Sequence, residues 1–194
     1  MIVLISIDIY AEKSLTISNL PLTIKDNDLI IGRCLNISYI SYLYFSLPPV
    51  PANTIENASL VLFKTGTFLN CLKTKEAIAI HPLLDYFSSR TNMLNRPKYD
   101  PALTQGDITE GTVSTEIDLT AIVNSWAKGQ LVNKGIVLSK EEQQYFGFSR
   151  YGSAYTKDPT LKPVLRIVCK ESPLPFLDLQ CSYKIIPPPT KKSN

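Results

Sequence analysis

The sequence predicts an all-β, jelly-roll-like β-sandwich with one short helix and a strand-like C-terminal tail. Three observations carry that expectation. Apolar residues alternate in short runs, turn-forming residues separate the runs, and only one stretch changes to a helical period. The 194 residues are 44% hydrophobic and 19% charged, which is ample apolar material for the core of one large β domain.

Val3, Ile5, Ile7 and Ile9 alternate as a strand with one buried face requires. Brief strands are expected at residues 15–18 and 29–32, joined by the polar loop Lys25-Asp-Asn-Asp28. Residues 39–46 are β-branched and aromatic, the composition that suits a pleated surface. Leu47-Pro-Pro-Val-Pro51 must end that strand, because prolines cannot donate to a ladder. Strands follow at residues 58–64 and 75–81, and residues 83–111 read as a long, turn-rich connection.

The helix is expected over residues 118–129. Leu119, Ile122, Val123 and Trp126 lie on one face, Asp118 can cap the start, and Gly129 can close the end. Trp126 is the only tryptophan and is expected beneath the sandwich. Strands resume at residues 134–139, 145–149 and 164–169. The sandwich is therefore assigned to residues 1–170, and residues 171–194 form a proline-rich tail with one extra strand candidate. In that tail Leu177, Leu179, Cys181, Tyr183 and Ile185 alternate before Pro187-Pro-Pro189. An apolar face of this kind, surplus to one sandwich, predicts self-association through those five residues, or an edge strand folded back within the chain.

The composition excludes several classes of function. The net charge is only +3, with no cationic run longer than Lys191-Lys192, so no nucleic-acid partner is expected. No stretch approaches the ~18 to 20 apolar residues of a membrane helix, so no membrane partner is expected. The N-terminus lacks a basic region and Asp8 interrupts its apolar run, unlike a classical signal peptide. Cys34, Cys71, Cys169 and Cys181 show no C-x-x-C spacing, and His81 is the only histidine, so no metal site is expected. Cys34 and Cys71 read as small apolar strand residues, and Cys181 as the thiol most open to cross-linking. No nucleophile–base pairing or phosphate loop is present, so neither catalysis nor a cofactor is expected. Of ten tyrosines, Tyr151 lies in the best sequence-local group for a saccharide, with Arg150 and Lys157. Sugar rings stack on aromatic faces, and cations hold uronic acid carboxylates.

The order of segments resembles the DNRLRE domain family, β-sandwich modules of bacteria and archaea related to carbohydrate-binding module family 96. The matching pieces are Tyr42-Leu-Tyr-Phe-Ser-Leu-Pro-Pro-Val-Pro51 before Ala58-Ser-Leu-Val-Leu-Phe63, then Ile117-Asp-Leu-Thr-Ala-Ile-Val-Asn-Ser-Trp126. Asn133-Lys-Gly-Ile-Val-Leu138, Phe148-Ser-Arg-Tyr151 and Pro159-Thr-Leu-Lys-Pro-Val-Leu-Arg-Ile167 complete the series, with Arg96-Pro-Lys-Tyr-Asp100 ahead of the helix. The resemblance implies a sandwich without catalytic machinery that binds polysaccharide or serves as a structural appendage. Two functions are therefore expected. The first is a structural module of a bacterial spore, coat or cell-surface assembly that associates with other copies of itself. The alternative is a carbohydrate-binding module recognising a polysaccharide through surface Tyr and Arg. The expected location is the spore or cell surface without a classical signal peptide, or otherwise the cytoplasm.

Overall fold

Alternation becomes strand almost wherever the sequence predicts it. β1 (Leu4–Tyr10) and β2 (Lys13–Ser18) are separated by two residues, and β3 (Asp28–Cys34) forms a hairpin with β4 (Ile37–Tyr44). β4 stops ahead of Pro48 and Pro49, as the missing amide hydrogens require. β5 (Ile55–Leu69) and β6 (Ile78–Pro82) follow, then β7 (Ile108–Glu110), β8 (Ser114–Asp118) and α1 (Thr120–Ala127). β9 (Ile136–Lys140), β10 (Gly147–Gly152), β11 (Val164–Lys170) and β12 (Tyr183–Ile185) complete the chain. This computed structural model describes residues 4–20, 24, 28–34, 36–69, 78–140, 147–170 and 183–185, without the side chains of 34, 67–69 and 183–185.

All the pairings are antiparallel, and they make the sandwich-like, all-β fold expected from the sequence. One sheet runs β12-β1-β11-β5-β8-β7, and the other runs β5-β10-β3-β4-β9-β6 with β2 on β4. β5 belongs to both. Its residues from Ile55 to Val61 pair with β11, and Lys64 to Leu69 pair with β10. The β10 register shifts between Arg150 and Tyr151, and such a bulge sharpens the local bend. At Gly32 (φ 121°) a Cβ would stand 2.3 Å from the Gly147 carbonyl oxygen, so only glycine lets β3 and β10 approach there. β1 and β11 join opposite ends of the chain, and their facing residues Asp8 and Arg166 form a bidentate ion pair at 2.8 and 3.0 Å.

Two differences from the sequence reading have simple causes. The connection after residue 83 is not structureless to its end, because β7 closes it and forms a hairpin with β8. Ile108 and Ile117 are the only large apolar residues in those two strands, too few to show a period. The tail is not wholly separate either. Tyr183–Ile185 adds to the sandwich as an edge strand on β1, with Ile185 opposite Ile5 and Tyr183 opposite Ile7. β1 is therefore an interior strand of this sheet.

The helix starts one residue later than the capping argument implies, yet Asp118 still satisfies its first turn. Thr120 donates its backbone N–H to Asp118 Oδ1 at 2.8 Å. At the other end Gly129 (φ 67°) donates to the Trp126 carbonyl, and Gln130 donates to the Ser125 carbonyl, both at 3.0 Å. That pair of bonds is the Schellman closure, which needs a left-handed residue at Gly129. Ile122, Val123 and Trp126 are buried against the main core, which also takes Leu43, Leu60, Leu62, Ile136 and Leu138. Trp126 is 7% exposed. Trp126→Ala should therefore lower unfolding free energy by about 3 to 5 kcal/mol in denaturant titrations. A loss below ~1 kcal/mol would mean the indole carries little of the packing.

Candidate ligand-binding cleft

β4 and β9 carry apolar residues on both faces. Leu43, Ile136 and Leu138 enter the main core, whereas their neighbours Tyr42 and Val137 enter a second buried cluster with Ile17 and Leu83. Residues 83–99 cover that second face. Phe87 lies against Tyr42 with ring centroids 5.5 Å apart and an interplanar angle of 28°, and Met93 packs on the same cluster.

This cover is tied down along its length. Leu83 N–H donates to the Gly135 carbonyl at 2.9 Å, Leu84 N–H to the Lys98 carbonyl at 2.8 Å, and Asp100 N–H to the Pro82 carbonyl at 3.0 Å. Tyr99 stacks on His81 at 4.8 Å. Beyond the cover Gln105 holds the chain to β6, accepting from Ile80 N–H at Oε1 and donating from Nε2 to the Ile78 carbonyl, both at 2.7 Å. One side-chain amide thereby satisfies the outer edge of β6, much as another strand would.

A cleft of about 310 Å³ opens between this cover and the sheet. Val137 and Met93 contribute apolar surface to it, and Arg33, Arg96 and Lys140 bring three cationic side chains. Among the described residues, no carboxylate lines it. Among the described residues, Arg96 and Lys140 have no ion-pair partner. Tyr39, Tyr42 and Tyr99 also line the cleft, with Tyr99 42% exposed, Tyr39 half-buried and Tyr42 buried at 1%. A cleft with apolar floor, aromatic rims and convergent cations has the means to hold a ring bearing an acidic group.

The sequence-predicted group is placed differently. Tyr151 is fully buried, with its hydroxyl 3.3 Å from Thr115 Oγ1, so its ring is not available to stack a sugar. Strand alternation sends the neighbouring Arg150 the other way, where it forms an ion pair with Asp28. Lys157 is exposed in the turn beyond β10. The structure does not assemble these three into one surface. Of the self-association residues, Tyr183 and Ile185 lie in β12, and Leu177, Leu179 and Cys181 lie outside the described residues. Cys71 also lies outside them, as does the side chain of Cys34. Cys169 is buried in the core, and burial pushes its thiol pKa up against an opposing hydrogen bond from Thr54. The sequence did contain the real cleft wall, since Arg96 and Tyr99 sit in the segment singled out ahead of the helix. The signal that could have found it is the uninterrupted apolar run Ile136-Val-Leu138, which demands cover on both faces.

No family model matches the chain, and no curated protein matches it.

Burial pushes the Tyr42 phenol up to about 12, with the Arg96 guanidinium pulling weakly the other way. The folded chain then keeps a proton that an unfolded tyrosine loses near pH ~10. The stabilisation linked to this group is complete below ~10 and is lost as the pH rises through about 12. A phenolate absorbance titration should show a late component that loses amplitude in Tyr42→Phe. If its amplitude is unchanged in the variant, it belongs to another tyrosine.

Proposed function

We propose that this protein is a non-catalytic module that binds an acidic polysaccharide in the cleft between β4, β9 and residues 93–99. One observation carries the reading: Arg33, Arg96 and Lys140 converge with Tyr39 and Tyr99 on a cleft that, among the described residues, no carboxylate lines. The tyrosine rings offer faces to pyranose rings, and the cations offer charge-assisted hydrogen bonds to uronate or sulfate oxygens. The resemblance to the DNRLRE domain family supports the same reading, and a spore or cell-surface setting would supply such polymers.

A second reading, self-association as a structural subunit of such a surface, is favoured by β12. Among the described residues, that strand holds β1 through three pairs at the end of a sheet. A short edge strand of this kind can exchange between copies. Size-exclusion chromatography of the full chain and of a chain ending at residue 171 separates the readings. A shared oligomer that dissolves on truncation supports exchange, and a monomer at all concentrations rejects it.

Calorimetric titration with oligouronates tests the first reading. Arg96→Ala should weaken binding about tenfold or more, the equivalent of one charge-assisted bond of roughly 1.5 to 3 kcal/mol. Raising ionic strength should weaken it further, and neutral oligosaccharides of equal length should bind far less. Equal affinity for neutral and acidic chains, or an Arg96→Ala variant that binds as the parent does, would reject the reading.

A further inference from the structure

We infer that the cleft recognises a polysaccharide whose acidic groups stand on alternate sugars, with one acidic group at each end of the cleft and a neutral ring between them. This rests on the ligand class proposed above and adds the spacing of its charges.

Strand register orders the floor. Alternation puts Ser38, Ile40 and Tyr42 of β4 on one face, and all three line the cleft. Val137 and Ser139 of β9 line it in the same way. Tyr42 lies opposite Val137, and Ser38 lies opposite Arg33. At one end the charge of the Arg96 guanidinium is felt at the Tyr42 phenol. Burial pushes that phenol up to about 12, so it remains a hydrogen-bond donor at neutral pH. At the other end stand Arg33, the Ser38 hydroxyl and Lys140. Ile40 and Ser139 form the floor between the ends, an apolar side chain and a small hydroxyl that suit an uncharged ring.

The strands also set how far apart the two ends are. Ser38 is four residues from Tyr42 on β4, and Lys140 is three from Val137 on β9. Both steps run the same way along the cleft, because β4 and β9 are antiparallel. They span about 10 to 13 Å. A single pyranose ring is shorter than this separation, whereas a sugar and its next neighbour but one are set apart by a comparable length. A chain with an acid on every sugar would place its middle carboxylate over Ile40, whose apolar side chain cannot replace the lost hydration. An alternating chain places a neutral ring there and brings a carboxylate to the cations at each end.

Calorimetric titration of the full chain at fixed ionic strength compares two hexasaccharides. One alternates glucuronate with N-acetylglucosamine, and the other is galacturonate throughout. Attraction between net charges alone favours the second, which carries twice as many carboxylates. The alternating chain should nevertheless bind about fivefold tighter or more. Arg96→Ala and Lys140→Ala should each weaken its binding about tenfold, since each removes a cation from one end of the cleft. Equal or tighter binding of the galacturonate chain overturns the inference and leaves the acidic-polysaccharide reading standing. So does a Lys140→Ala variant that binds the alternating chain as the parent does. Binding of neither chain overturns both.

Discussion

Both faces of β4 and β9 are apolar, and neither can be left in water. Leu43 with Ile136 and Leu138 fills the space between the sheets, and Tyr42 with Val137 needs a separate cover. Large apolar side chains gain about 1.5 to 3 kcal/mol each on full burial, which is enough to hold down a long segment that lacks a ladder of its own. Residues 83–99 supply that cover through Leu83, Phe87 and Met93. The cover does not close completely over the sheet, and the remaining space is the cleft that bears Arg33, Arg96 and Lys140. The candidate site is therefore a consequence of how the second face is buried.

The edges of this fold are closed by side chains as much as by strands. Gln105 completes the outer edge of β6. Asn19 does the same beside β4, donating to the Asn36 carbonyl and accepting from Ser38 N–H, both at 2.8 Å. Thr16 Oγ1 accepts from Ile30 N–H at 3.2 Å, and Ser41 donates to the Ile30 carbonyl at 2.8 Å, where β3 has left β4. Unpaired strand edges invite association, and these short polar groups remove the invitation without adding strands. β5 imposes a different constraint. Because it pairs in both sheets, neither sheet can complete its pairing until this strand is in place. The pairing of β1 with β11, from opposite ends of the chain, adds to the loop entropy that folding must overcome.

Periodicity made the strands and the helix legible. Short runs such as residues 15–18, 29–32 and 164–169 fall within β2, β3 and β11, and Trp126 is buried where helical spacing puts it. β7 and β8 were not legible because a three-residue strand and a Ser-Thr-Glu-Ile-Asp strand carry one large apolar residue each. The place of the cleft was not legible. Tyrosine and arginine do line the cleft together, yet sequence neighbours in a strand point to opposite faces, so Arg150 and Tyr151 could not act together. Residues from β3, β4, β9 and the cover meet only after folding, and no local pattern marks Arg33, Tyr39, Arg96 and Lys140 as neighbours.

Hydrogen–deuterium exchange with and without an acidic oligosaccharide tests the central claim most directly, because it reports where the ligand sits without presuming which residue matters. The account predicts added protection confined to residues 93–99, to β4 and β9 beneath them, and to the adjoining end of β3. Protection centred on the exposed turn around Lys157, or none at saturating ligand, would contradict it.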